Sequence, residues 1–149
     1  MTFWFIFQRH DVLLERLADG TYTIPCANNS PITPSPKTHI LNVMPALPQA
    51  DVKTFNVTPA TPINENQYEW CDLRASYYKL SHELYLKAGK CHELLYWDTS
   101  TQYCGVCGTQ MVMQTDISKR CPNCGKEVWP QLATAIIVLI SKGDEVVLV

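Results

Sequence analysis

The N-terminal part of the chain consists of short apolar runs separated by turn residues. The runs Phe3–Phe7, Val12–Leu17 and Thr21–Ile24 are rich in aromatic or β-branched side chains, and Asp19-Gly20 separates the last two. Such runs favour β-strands, and an Asp-Gly pair is a strong signal for a tight turn between strands. The pattern therefore predicts a small antiparallel meander.

A proline-rich stretch follows, in which eight of the ten prolines lie between Pro25 and Pro62. Proline lacks a backbone N–H, so we expect neither a long helix nor a central strand in this stretch. The segments 38–47 and 51–59 are candidates for short strands. Their interleaved Ile, Leu, Val and Phe side chains predict that the stretch packs against the rest of the chain and is not a loose linker.

From Asp72 onward the apolar positions follow the period of a helix. They recur at spacings of three and four, which places one apolar stripe along the helix, at Tyr77, Leu80, Leu84, Ala88, Cys91 and Leu95. Asp72 is the predicted N-cap. Gly89 predicts a break near Ala88-Gly89, because glycine inside a helix costs about 1 kcal/mol. Near the C-terminus, Ala135–Ile140 and Glu145–Val149 predict two strands about a Gly143-Asp144 turn.

Four of the seven cysteines form two C-x2-C pairs that thirteen residues separate: Cys104, Cys107, Cys121 and Cys124. Two residues between ligands allow a tight turn to direct both sulfurs at one ion, at about 2.3 Å, and a second turn completes a tetrahedron. Gly108 and Gly125 follow the pairs, where a left-handed backbone turns amides toward the sulfurs. The spacing predicts a structural Zn²⁺ site on a β-hairpin, a zinc ribbon.

Other uses of the cysteines fit less well. A thioredoxin-like redox pair would explain "CGVC" but not the second pair, and a catalytic zinc needs an open position that four thiolates do not leave. No export signal is evident, so we expect a reducing, cytoplasmic location, where paired cysteines bind metal more often than they form disulfides. Cys26, Cys71 and Cys91 are expected to be small buried hydrophobic residues.

Composition and motifs exclude several functions. The formal charge of −2 provides no general attraction to nucleic acid or to an anionic membrane, and the longest apolar run, residues 135–140, is far shorter than the roughly 20 residues of a membrane-spanning helix. His82-Glu83 and His92-Glu93 lack the second histidine of a zinc-protease helix, so both are expected to face solvent. No catalytic centre is visible, and no phosphate-binding loop.

The C-terminal part of the chain resembles the NADH pyrophosphatase branch of the Nudix hydrolases. The resemblance rests on an ordered series, Ala88, Leu94-Leu95, Trp97, Tyr103-Cys104 and Trp129-Pro130-Gln131, followed by the apolar strands. It is less specific over the opening strands. It implies an α+β fold with a β-rich N-terminal domain at 1–72, a connecting helix at 73–100, a rubredoxin-like zinc ribbon at 101–130, and the opening hairpin of a Nudix domain at 131–149.

The same resemblance implies three contacts with substrate. In the family, the arginine of a Leu-Arg pair before the helix contacts the dinucleotide, and Leu73-Arg74 matches that pair. Trp129 occupies an aromatic position that faces the substrate, and Asp116 occupies the position of an acidic contact. Each residue also has a purely structural interpretation: a salt bridge at the helix end for Arg74, ribbon packing for Trp129 and a hairpin turn for Asp116.

One departure from the family determines the expected activity. The Nudix signature, whose glutamates hold the metals that activate water, is absent from the 149 residues. We therefore expect an inactive N-terminal part of a longer enzyme. With Mg²⁺ or Mn²⁺, that enzyme would cleave NADH or NAD⁺ to nicotinamide mononucleotide and AMP. The family also implies a homodimer.

Two further functions stay open on the sequence. The chain could be a non-enzymatic zinc-ribbon module for nucleic acid or a protein partner, although its near-neutral charge argues against nucleic acid. Removal of NAD caps from RNA would use the same chemistry as dinucleotide cleavage. The apolar segment 135–149 is expected to pair with a second copy of the chain or to fold back on the ribbon, because it leaves an unpaired strand edge.

Overall fold

The computed structural model describes residues 1–44, 47–48, 50–131, 136 and 138–147. Within them the chain is an α+β protein with β1 (Thr2–Gln8), β2 (Asp11–Arg16), β3 (Tyr22–Thr23), β4 (Cys26–Ala27), β5 (Leu41–Asn42), β6 (Asp51–Asn56), β7 (Tyr68–Asp72), β8 (Val112–Thr115), β9 (Ser118–Arg120), β10 (Glu127–Val128), β11 (Ser141–Lys142) and β12 (Glu145–Val146). The helices are a 3-10 turn at Ala75–Tyr78 and α1 at His82–Ser100. In this part of the chain, no helix is long and apolar enough to cross a bilayer.

The large sheet contains the predicted meander and adds a parallel strand to it. Its central order is β3-β2-β1-β6-β5, with β4 paired to β1 and β7 paired to β2. β1 and β2 form the expected antiparallel hairpin, in which Phe7 is opposite Val12, and β2 pairs with β3 beyond the Asp19-Gly20 turn. β6 lies parallel to β1 over six residue pairs. A short N-terminal meander thus becomes one side of a larger sheet.

The prediction that the proline-rich stretch holds no central strand is wrong for β6, which lies between β1 and β5. Its residues fall between Pro48 and Pro59, so every position of the strand keeps its N–H and the ladder is uninterrupted. The prediction that this stretch packs is confirmed, since it supplies the buried side chains of Ile32, Leu41, Val43, Leu47, Val52 and Phe55.

Both faces of the large sheet are covered, which explains the unbroken apolar run of β1. Phe5 and Phe7 are fully buried in one core, together with the helix residues Ala88, Cys91, Leu94 and Leu95. Trp4 and Ile6 belong to a second core with Phe55 and side chains from the proline-rich stretch. A strand buried on both faces has a continuous apolar sequence, without the alternation of a half-exposed strand.

α1 begins later than the apolar pattern predicts. Ser81 is its N-cap, with the side-chain oxygen accepting a backbone N–H of the first turn. Asp72, the predicted N-cap, instead accepts the N–H groups of residues 74 and 75 at the entry to the 3-10 turn. Tyr77 lies in that turn and is about half exposed, although the pattern places it on the buried stripe. The predicted break at Gly89 is also wrong, because α1 continues through it.

Two small sheets complete the described part of the chain. The ribbon is a three-stranded antiparallel sheet in the order β10-β9-β8, and β11 and β12 form a separate hairpin. The predicted turn at Gly143-Asp144 is confirmed, with Gly143 at φ +60°, but the strands are only two residues long. Residues 135, 137, 148 and 149 of this segment lie outside the described residues. Its pairing with a second copy or with the ribbon therefore stays a prediction.

Candidate metal centre and adjoining cavity

The two C-x2-C pairs lie in two loops with the same backbone form. In each loop, the N–H of the first cysteine donates to the carbonyl five residues later, and the glycine N–H donates back to the carbonyl of that cysteine, at 2.8–3.0 Å. Gly108 and Gly125 have φ values of +71° and +75°, the left-handed conformation that favours glycine. The residues between the loops form the β8–β9 hairpin. The predicted hairpin with two glycine-terminated loops is confirmed.

The four cysteine sulfurs converge on one point. The Sγ atoms of Cys104 and Cys124 are 3.5 Å apart, those of Cys107 and Cys121 are 3.4 Å apart, and all four lie within 4.8 Å of one another. Four thiolates about 2.3 Å from a zinc ion would form a tetrahedron with edges of about 3.8 Å. All seven cysteines are free thiols. The donor set and its geometry therefore fit a closed four-thiolate zinc site.

Backbone amides donate hydrogen bonds to the two buried sulfurs. The N–H of Val106 donates to Cys104 Sγ and the N–H of Cys124 donates to Cys121 Sγ, each at 3.4 Å. The amides of Val106 and Cys107 lower the pKa of the Cys104 thiol. These amides belong to residues inside the loops, whereas the glycine amides bind carbonyl oxygens. The glycines thus shape the loops, and their neighbours solvate the sulfurs.

The two exposed sulfurs differ in their pKa. The Thr109 hydroxyl and amide lower the pKa of Cys107 to about 5. At Cys124, the Lys126 amide lowers the pKa, but the neighbouring thiols, Cys104 first, outweigh it and raise the pKa to about 11. Four sulfurs in contact do not all ionise at neutral pH unless a cation compensates their charge. A bound divalent metal supplies that charge and deprotonates a coordinating thiol.

An aromatic cavity adjoins the ribbon. It has a volume of about 260 Å³ and lies between the last turns of α1 and the residues after β10; its lining includes Glu93, Tyr96, Trp97, Trp129 and Pro130. Trp129 is 52% exposed, so much of its ring surface is open to this cavity and to solvent. The small ribbon core contains Cys104, Met111 and Cys121, with Val128 packed against it, and does not include Trp129.

The other two predicted substrate residues lie elsewhere on the chain. Asp116 is in the β8–β9 turn and lines two cavities, one beside His39 and the other beside Lys53. Arg74 is exposed at the start of the 3-10 turn, and among the described residues it forms no ion pair. No cavity described here is lined by more than one of Arg74, Asp116 and Trp129. These cavities therefore give no common site for the three residues.

A buried charge network joins the ribbon to α1. Lys119 of β9 is only 3% exposed, and its Nζ lies 2.7 Å from Asp98 Oδ1. The same Nζ donates to the backbone carbonyls of Asp98 at 2.7 Å and Thr101 at 3.3 Å. His39 extends the network to the N-terminal part, with Nδ1 3.0 Å from Asp98 Oδ2. Lys119 thus pairs a buried carboxylate and also donates to carbonyls at the helix end that lack a partner within the helix.

This network was not predicted from the sequence, although one signal for it exists. Asp98 lies in the last turn of α1, where a negative charge opposes the helix dipole, and that turn contains no basic residue. A buried acidic residue in such a position needs a cation from another element. The spacing of residues does not indicate that Lys119, 21 positions away, is that cation.

The two rejected His-Glu pairs have different environments. His82 opens α1 and is exposed, as predicted. His92 was expected to face solvent, but it is half buried, with its ring 5.3 Å from Phe7 and 5.7 Å from His10. Its Nε2 also lies 3.2 Å from the carbonyl oxygen of Arg9. Among the described residues, neither histidine belongs to a cluster that could hold a metal ion.

The remaining cysteines behave largely as expected. Cys71 and Cys91 are buried, whereas Cys26 in β4 is only half buried. Burial raises the pKa of Cys91 to about 12. A thiol with such a pKa stays neutral at physiological pH, so Cys91 acts as a small apolar residue of the core.

Two family models match the chain in order. The NADH pyrophosphatase-like rudimentary NUDIX domain matches residues 1–97, and the NADH pyrophosphatase zinc ribbon domain matches residues 99–128. Together with the fold and the cysteine cluster, these matches define a zinc-ribbon protein with a NUDIX-like domain. The chain belongs to the NADH pyrophosphatase-like NUDIX family, and the resemblance noted from its motifs is confirmed.

The chain is also similar to curated proteins named NAD-capped RNA hydrolase NudC. It is 44% identical over 72 residues to the protein of Deinococcus radiodurans, which is 48% of this chain and 26% of that relative. It is 32% identical over 88 residues to the protein of Pseudomonas aeruginosa, which is 58% of this chain and 32% of that relative. The chain thus spans about a quarter to a third of the length of these relatives.

Proposed function

We propose that this chain is the N-terminal and zinc-ribbon part of a Nudix hydrolase that cleaves the pyrophosphate of NADH or NAD⁺, giving nicotinamide mononucleotide and AMP. This proposal rests on the two family matches and their order, in which a rudimentary NUDIX domain is followed directly by the zinc ribbon. Among the described residues, no group of carboxylates could hold a catalytic metal ion. We therefore assign hydrolysis, with Mg²⁺ or Mn²⁺, to a NUDIX domain that these residues do not include.

In this proposal the ribbon is structural. One Zn²⁺ is held by four thiolates, those of Cys104, Cys107, Cys121 and Cys124. A closed thiolate site has no open position for substrate, so the zinc ion fixes the loops and takes no part in the reaction. Thiolate ligands also require a reducing environment, which agrees with a cytoplasmic location. The domain division at residues 72, 100 and 130 belongs to the same proposal.

Trp129 would bind the substrate by stacking. Its exposed ring beside the aromatic cavity supports this role, because stacking of a base on an aromatic side chain contributes about 1–3 kcal/mol. Arg74 and Asp116 would add polar contacts from separate surfaces. Because none of the cavities described above is shared by the three residues, we propose that they meet in a homodimer.

The experiment compares chain 1–149 with the proposed longer polypeptide that includes a catalytic NUDIX domain. Each is incubated with NADH and Mg²⁺ or Mn²⁺, and nicotinamide mononucleotide and AMP are separated by chromatography. We expect turnover by the longer polypeptide and none by chain 1–149. Turnover by chain 1–149 would contradict the assignment of hydrolysis to a further domain. A longer polypeptide without turnover would favour a non-enzymatic ribbon module.

The similarity to proteins named NAD-capped RNA hydrolase favours NAD-capped RNA as a second substrate of the same chemistry. In the longer polypeptide, W129A is expected to lower kcat/KM for NADH about tenfold, and W129F is expected to retain most of it, because phenylalanine keeps a stacking ring. Comparing kcat/KM for NADH and for a 5′-NAD RNA then measures which substrate is preferred.

A further inference from the structure

Each of the two cysteine loops has a basic side chain close to its backbone. Lys126 Nζ lies 4.0 Å from the position that a Cβ on Gly105 would occupy, and Arg120 Nη2 lies 3.7 Å from the same position on Gly125. Gly105 lies inside the first C-x2-C pair, and Gly125 directly follows the second. Both cations are therefore held beside the loops that carry the four sulfurs.

The site needs such charges when it holds a metal ion. A zinc ion with four thiolates carries two excess negative charges. The amides of Val106 and Cys124 donate to the two buried sulfurs, but an amide carries no net charge. Ionised groups that lose contact with water are costly unless opposite charges lie close to them. A fixed cation beside the loops would lower this cost in the metal-bound state.

Lys126 connects the two loops. Its backbone carbonyl accepts the N–H of Cys121 at 2.8 Å, which fixes its backbone in the second loop, while its ammonium lies against Gly105 in the first. Among the residues that the structure describes, Lys126 forms no ion pair. Its full positive charge is therefore directed at the loops.

The carboxylates of the ribbon do not oppose Lys126 directly. The segment 101–130 contains two of them, Asp116 and Glu127. Asp116 lies in the β8–β9 turn, at the end of the hairpin away from the cysteine loops. Glu127 Oε1 lies 3.8 Å from Arg120 Nη1, so this pair adds little net charge near the second loop. The third cation of β9, Lys119, is paired with Asp98.

We propose that Lys126 is the charge-compensating residue of the metal centre, whose ammonium partly neutralises the four-thiolate complex and tightens metal binding, while Glu127 offsets the contribution of Arg120. The inference rests on the zinc site of the proposed function and is independent of the hydrolysis assigned to a further domain. It adds to the four ligands a residue that contacts no metal ion and acts through its charge alone.

The test titrates chain 1–149 with Co²⁺ under anaerobic, reducing conditions, followed by the thiolate-to-Co²⁺ charge-transfer absorption, and then displaces Co²⁺ with Zn²⁺. K126M keeps the aliphatic stem without the charge, and it is expected to raise the Kd for both ions about three- to tenfold, as for the loss of one nearby charge. K126R keeps the charge and should stay close to the unmodified chain. K37Q removes an exposed cation outside the ribbon and should change neither Kd.

Two further variants give effects of different sign and size. E127Q removes the carboxylate that offsets Arg120 and is expected to lower the Kd about two- to threefold. The double variant R120Q/E127Q removes the pair without changing the net charge, so its Kd should stay within about twofold of the unmodified chain. A raised Kd for E127Q would contradict the offset between Glu127 and Arg120.

The salt dependence separates charge from packing. The difference between K126M and the unmodified chain should shrink as salt rises, because the Debye length falls from about 10 Å at 0.1 M to about 3 Å at 1 M. Equal Kd values for K126M and the unmodified chain, or a Kd for K126R as high as that of K126M, would overturn the role of Lys126. An unmodified chain that binds neither ion would overturn the zinc site as well. Failure of the proposed hydrolysis has a separate readout, the absence of NADH cleavage by the longer polypeptide.

Discussion

The N-terminal part and the ribbon reach stability by different means. In the N-terminal part, two cores cover both faces of the large sheet, and Phe5, Phe7, Ile6 and Phe55 are completely buried. The ribbon core consists of two cysteines, Met111 and part of Val128. Full burial of a large apolar side chain contributes roughly 1.5–3 kcal/mol, so the first core can support a fold and the second cannot. A metal ion is expected to supply what the ribbon lacks.

The two means of stabilisation also explain why the two regions require different sequence patterns. Strand β1 requires a run of apolar residues, in which several side chains are interchangeable as long as volume and polarity are kept. The ribbon requires four cysteines and two glycines at fixed spacings, because metal coordination and left-handed turns tolerate few alternatives. The ribbon sequence is therefore more specific, although it is shorter and mostly polar.

Loss of the metal site has the largest expected effect. C121S removes a buried ligand and should abolish zinc binding and unfold β8–β10, because metal binding contributes an apparent 10–16 kcal/mol or so in comparable peptides. Elemental analysis measures the zinc content, and limited proteolysis within residues 101–130 measures the unfolding of the ribbon. C26S changes a cysteine outside the cluster and should keep one zinc per chain. A zinc-free chain with a protease-resistant ribbon would show that the ribbon core suffices.

A cavity in the core of the large sheet should destabilise the N-terminal part and leave the zinc site intact. F5A removes a fully buried ring from the first core and should lower the free energy of unfolding of the N-terminal part by about 3–5 kcal/mol. Urea unfolding measures the stability of the sheet, and the zinc retained at each urea concentration measures whether the ribbon is still folded. We expect zinc to remain bound after the sheet unfolds. F3A, on the same strand but only partly buried, is the milder control. Simultaneous loss of zinc and sheet would indicate one cooperative unit.

The junction between the regions depends on Lys119. K119M leaves the Asp98 carboxylate buried without its main partner and should cost about 3 kcal/mol in thermal unfolding. The double variant K119M/D98L should recover much of that loss, because no buried charge remains unpaired. Additive effects of the two substitutions would show that the ion pair contributes no coupling between ribbon and helix.

A smaller effect is expected at an exposed ion-pair network in the N-terminal part. Glu69 accepts hydrogen bonds from Lys79, Tyr22 and Arg16, and the Lys79 bond is the main cause of its lowered pKa. Because the folded pKa lies below the ordinary value of 4.5, this stabilisation is present above pH 4.5 and is lost as pH falls through the folded pKa. E69Q should cost about 1 kcal/mol at pH 7, and progressively less as the pH falls through the folded pKa of Glu69. E65Q, at an exposed position, should show no such pH dependence.

Local features of this protein are determined by the sequence alone. The four cysteines, Gly108 and Gly125 predicted both loops and the hairpin between them, because ligand spacing and a left-handed turn involve only neighbouring residues. The apolar runs likewise predicted β1, β2 and the face of α1 that is buried. The motif singled out Trp129, whose contact with substrate stays a prediction, and the cavity beside it was not predictable from the sequence.

Tertiary structure decided which distant segments meet. β6 lies parallel to β1 at a separation of 49 residues, Lys119 reaches Asp98 across 21, and Arg9 meets His92 across 83. It also set the start of α1 at His82, where Ser81 provides a better cap than Asp72. The reason is physical: spacing along the chain limits only what neighbouring residues can reach. Partners far apart are selected by how both faces of the sheet are buried and how buried charges are paired, which depend on the whole chain.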